Sequence, residues 1–118
     1  MEKVWLKNYE PGVPHTIDYP KVSLYQMFKQ AAERYASNPA VSFMGRVLTY
    51  RELLAQVDAF AAALQGLGVK KGDRVAIHLP NCIQFPIAYY GALAIGAIVV
   101  PCNPMYVARE LSYQLNDS

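Results

Sequence analysis

The sequence predicts an α/β fold, with a small antiparallel hairpin leading into a parallel βαβ unit. Three observations carry this. Arg74–Leu79 and Ala97–Val100 are short runs of strand composition, and the second is apolar on both faces, as strands of parallel sheets are. Between them lies an apolar stretch of helical length ending near Ile95. Upstream, Ala40–Met44 and Val47–Leu48 flank Gly45-Arg46, the pattern of a tight hairpin. Strand, helix and strand in succession make one βαβ unit, almost always right-handed. Its parallel sheet is incomplete within this chain.

The elements follow in order. Residues 1–22 read as an extended arm, because Pro11, Gly12, Pro14 and Pro20 prevent a long helix. Trp5, Tyr9 and Tyr19 are candidate anchors for that arm. Ser23 is a good N-cap for a helix reaching about Ser37, with Leu24, Met27, Phe28, Ala31 and Tyr35 as its apolar stripe. Asn38-Pro39 stops it before the hairpin. Thr49 and Glu52 have the spacing of a capping box, so a second helix opens there and runs to about Leu67. Its stripe is Leu53, Leu54, Val57, Phe60, Ala61, Leu64 and Leu67, and Gly68 is placed to end it. Lys70–Asp73 is a turn. After the first βαβ strand, Asn81 can cap the crossover helix, although Pro86 then calls for an irregular first turn or a start nearer Phe85. That helix is apolar nearly all round and is expected to be deeply buried. Gly96 ends it. A last helix begins near Ala108.

Composition excludes several classes. Of 118 residues, 53% are hydrophobic and 17% charged, which is too apolar for a disordered tail. The net charge of +2 is spread along the chain, with Lys70-Lys71 its only basic pair, so no nucleic-acid partner is expected. Cys82 and Cys102, the two cysteines, lack metal-ligand spacing and read as reduced thiols. The amino terminus has no signal-peptide pattern. The apolar run Phe85–Cys102 is broken by Gly91, Gly96 and Pro101, and falls short of the ~20 residues of a spanning helix. A cytoplasmic protein is expected, with peripheral membrane contact left open.

Patterns that carry chemistry are sparse. Gly66-Leu67-Gly68 with Gly72 follows a helix instead of a strand and is mis-spaced for a dinucleotide site. Gly91 and Gly96 have P-loop spacing, but Ala97-Ile98 stands where Lys-Ser/Thr is required. No serine sits in a nucleophile elbow. His15 lies in the arm; His78 lies near the carboxyl end of a strand, where open α/β sheets face their ligands. Cys82 opens a helix, a setting that can lower a thiol pKa, but no histidine is linked to it. Glu33, Asp58, Asp73, Glu110 and Asp117 form no pair spaced for acid–base work. Tyr89-Tyr90 can pack a core or line an apolar tunnel.

Two linked stretches resemble the adenylate-forming superfamily. Leu48-Thr49-Tyr50-Arg51-Glu52-Leu53 is similar to its first core motif, and Leu93–Pro101 to its second. The stretches Leu79–Pro86, Asn103–Tyr106 and Arg109–Ser118, with Trp5-Leu6, Tyr9 and Gly12–Pro14, resemble the long-chain fatty acid–CoA ligases. Val107 departs from that pattern, which has threonine as the cap of the last helix.

The resemblance implies a partial N-terminal subdomain of the adenylate-forming fold. It assigns 1–22 to an arm and 23–118 to the first, incomplete part of an AMP-binding domain. It implies a parent enzyme that uses ATP, magnesium and coenzyme A on a fatty acid. The family's phosphate loop, adenine-site motifs and C-terminal lysine match nothing here, so the resemblance assigns no catalytic, cofactor-binding or metal residue. Thr49, Tyr50, Glu52, Gly96 and Pro101 are implied to be structural motif residues. The expected partner is the rest of the ligase chain, with the piece alone inactive. Two rival readings remain: a binding module that kept the fold and lost the chemistry, and an unrelated small nucleotide-binding domain, which would need a phosphate loop.

Overall fold

A computed structural model describes residues 3–118. In the arm, Val4–Asn8 forms one 3₁₀ helix upstream of the prolines, where nothing forbids it. The predicted extended arm therefore contains a helical turn. Trp5, Tyr9 and Tyr19 do not anchor it: all three are exposed, Tyr19 to 80%. The 3₁₀ turn buries none of its residues.

Helix α1 spans Leu24–Arg34. Ser23 Oγ accepts the Gln26 N–H at 3.1 Å, and Gln26 Oε1 accepts the Ser23 N–H at 3.1 Å, which completes a capping box. Its buried residues are Phe28 and Ala32, flanked by half-buried Tyr25. Leu24, Met27 and Tyr35 of the predicted stripe are exposed. The helix touches the body through one narrow face, rotated toward Ala32.

Strands β1 (Pro39–Phe43) and β2 (Arg46–Thr49) pair antiparallel, with Phe43 opposite Arg46. The turn is Met44-Gly45, not Gly45-Arg46. Both residues adopt positive φ, 48° and 81°, as a two-residue type I′ turn requires. Arg46 is thereby freed to pair.

Helix α2 spans Tyr50–Gly66. Glu52 Oε2 accepts the Thr49 N–H at 2.8 Å and the Thr49 hydroxyl at 2.9 Å, while Thr49 Oγ1 accepts the Glu52 N–H at 3.3 Å. Leu53, Val57, Ala61 and Leu64 are buried one turn apart. Leu67, expected in this stripe, is 82% exposed, because the helix has already ended. Gly68, at φ +90°, donates to Gln65 O at 2.9 Å, and Val69 donates to Leu64 O at 3.0 Å. This is a Schellman ending. The next turn closes with the Lys70 N–H on Asp73 Oδ2 at 2.8 Å.

Strands β3 (Arg74–Ile77) and β4 (Ile98–Pro101) pair parallel, from Arg74 opposite Ile98 to Ile77 opposite Pro101. Helix α3, Gln84–Ala94, is the crossover. It starts later than Asn81, with Pro86 third in the helix, where the missing N–H has no intrahelical partner to lose. Its end repeats the ending of α2: Gly96 at φ +77° donates to Leu93 O, and Ala97 to Ala92 O, both at 3.0 Å. The expectation of deep burial fails for α3. Only Gly91 and Ala92 are buried, and the other apolar positions are half-covered. It packs chiefly on α2, with smaller contacts to α1, β3 and β4, and the remaining surface is left half-covered.

Helix α4, Ala108–Asp117, buries no residue. The Val107 N–H donates to Glu110 Oε2 at 2.9 Å, half of a capping box, since valine has no hydroxyl to return the bond. Two small cores result. Phe28, Ala32, Leu48, Leu53, Val57 and Ile83 form one; Leu64, Ala92 and Ala97 form the other. The radius of gyration is 18.0 Å, against about 13–14 Å for a self-contained domain of this length.

Candidate functional site

Parallel strands deliver side chains to their carboxyl ends, so β3 and β4 mark where an α/β site would lie. His78 sits just beyond β3, exposed, not within the strand as expected, because pairing stops at Ile77. It borders a groove of about 350 Å³ lined by Phe60, Val75, Ile77, Leu79, Gln84 and Ile87, among others. A second groove, of about 440 Å³, lies between the hairpin and the loop before α3, with Val41, Phe43, Asn81, Cys82, Phe85 and Pro86 on its walls. Both are open and mainly apolar.

The other residues singled out by sequence are scattered. His15 meets the Tyr9 ring edge-on at 5.6 Å, within the arm. Cys82 is half-buried in the second groove, before α3 begins, while Cys102 is buried with its Sγ 3.5 Å from Val100 O. Both thiols are free. Tyr90 stacks on Phe28 at 4.4 Å and joins the first core, and burial, then Tyr89 and Tyr50, raises its pKa. Tyr89 packs beside Phe85 at 6.0 Å.

One polar link was not evident from the sequence. The Tyr25 hydroxyl donates to Asp58 Oδ1 at 2.7 Å and ties α1 to α2. Burial, then that bond and the charges of Asp58 and Glu33, push the Tyr25 pKa up to about 12. The available signal was position: Tyr25 lies one turn before the buried face. The Glu52 carboxyl is held below its ordinary range, first by the Thr49 backbone N–H and then by its hydroxyl.

Among the described residues, no group of three His, Cys, Asp or Glu side chains could hold a metal ion. The start of α3 offers no side-chain cap, and a proline occupies its first turn. No described helix is long and apolar enough to cross a membrane. The arrangement presents apolar grooves on both sides of α3 and, among the described residues, unpaired outer edges on β3 and β4.

The family model "AMP-binding enzyme" matches residues 28–118. A long-chain-fatty-acid–CoA ligase of Yersinia pestis is 55% identical over 100% of this chain, which spans 21% of that relative. The N-terminal subdomain of Klebsiella oxytoca NpsA superposes with a TM-score of 0.77 at 33% identity, covering 80% of this chain and 25% of that one. A fatty acyl CoA synthetase of Mycobacterium tuberculosis gives 0.76 at 35% identity, covering 81% and 20%. The hairpin, the parallel pair and their order are thus those of the N-terminal subdomain of adenylate-forming enzymes. With the family model matching most of its length, the chain belongs to the AMP-binding enzyme family.

Proposed function

We propose that this chain is the amino-terminal portion of an ATP-dependent long-chain fatty acid–CoA ligase, and that it performs no chemistry alone. One observation carries the reading: 55% identity, sustained over the whole chain, with a ligase of that name. The full-length enzyme would join a fatty acid carboxylate to the α-phosphorus of ATP and expel pyrophosphate. The coenzyme A thiol would then displace AMP and form the thioester. Magnesium would supply charge neutralisation at the phosphates.

The residues of this chain serve as scaffold. Thr49, Tyr50 and Glu52 set the start of α2, and Gly96 with Pro101 shapes the passage from α3 through β4. Residues 1–22 form an arm, and 23–118 the opening part of the AMP-binding domain. The large radius of gyration and the half-covered α3 support a piece completed by further chain. Lipid metabolism in the cytoplasm fits this activity, and the exposed apolar residues of the arm suit peripheral membrane contact.

The test is an assay of the full-length protein with ATP, magnesium, coenzyme A and fatty acids of graded length. Acyl-CoA and AMP should form with long chains preferred, and residues 1–118 alone should yield no acyl-adenylate. Turnover restricted to short or aromatic acids would overturn the substrate class. Turnover by the 118-residue chain would overturn its proposed inactivity.

A further inference from the structure

We draw no further inference here: the strongest candidate, the pair of apolar grooves that share Phe85 and Pro86, one against the hairpin at Val41 and Phe43 and the other against Leu24 and Tyr89, carries nothing because nothing in the structure shows what covers them.

Discussion

Gly91 is where α3 comes closest to α2, and its replacement by alanine has a calculable outcome. A Cβ at that position would lie 2.7 Å from Phe60 Cδ1, 3.2 Å from Val57 O and 3.4 Å from Ala61 N. Carbon pairs prefer about 3.5–4.0 Å, so the Phe60 ring must retreat by most of an ångström. Phe60 can do this, because it borders the open groove beside β3. The carbonyl of Val57 cannot, because Val57 is fully buried and its backbone belongs to α2. Overpacking of this kind costs about 1–3 kcal/mol. Glycine to alanine within a helix returns about 0.8–1 kcal/mol. The balance is a loss of about 1 kcal/mol. Gly66 is the internal control: it ends the same α2, and a Cβ there would meet nothing within 4 Å. Gly66→Ala should therefore be neutral or stabilising by up to about 1 kcal/mol. Thermal unfolding of the full-length protein should rank Gly91→Ala below wild type and Gly66→Ala at or above it. Adding Phe60→Ala to Gly91→Ala should recover about 1 kcal/mol of the clash, as non-additivity between touching residues. Gly91→Ala as stable as Gly66→Ala would show that the two helices are not in this contact.

Three further outcomes follow from the same structure. Gly96→Ala should destabilise by about 1–2 kcal/mol through its φ of +77°, since the Lys71 stem that the new methyl meets at 2.9 Å is flexible and can move; equal unfolding temperatures for the two proteins would refute this. The Glu52 carboxyl has a folded pKa below its unfolded one, so its contribution is present above the unfolded value and is lost as pH falls through the folded value. Glu52→Gln should flatten the acid limb of the pH–stability curve, and an unchanged limb would contradict the capping geometry. The Tyr25 pKa is raised to about 12, so its contribution is complete below the ordinary tyrosine range and disappears as pH rises through that value. Alkaline absorbance titration should lose one late-titrating tyrosine in Tyr25→Phe, and its persistence would reassign the group.

The legible parts of this fold were those set by local chemistry. The Thr49–Glu52 spacing places the start of α2 to the residue, because both halves of a capping box lie within one turn. Gly68 and Gly96 mark helix ends for the same reason: only a left-handed residue lets the Schellman bonds form. The hairpin and the parallel pairing of β3 with β4 were legible too, but where the answer depended on how much surface lies opposite a helix, the sequence misled. Leu24, Met27 and Tyr35 have helical spacing as good as that of Phe28, but α1 meets the body along a narrow line, and periodicity cannot say how wide a contact is. The Tyr25–Asp58 link joins residues 33 apart in sequence, so the position of Tyr25 on the helix hints at a partner and no local pattern names it. The turn at Met44-Gly45 was off by one because Met44 is an unusual residue for positive φ.

The failure on α3 is of another kind, and it bears on function. Gln84–Ala94 has an interior composition, yet in this chain only two of its residues are buried. A helix with that surface is not stable against water on most of its circumference. The composition of α3 is therefore matched to more cover than α1, α2, β3 and β4 give it among the described residues. A binding module that folded alone would place polar residues at those positions, as soluble domains do at uncovered edges and faces. Apolar residues there are expected only if the cover is permanent, which favours a piece of a larger enzyme over a free-standing module derived from it.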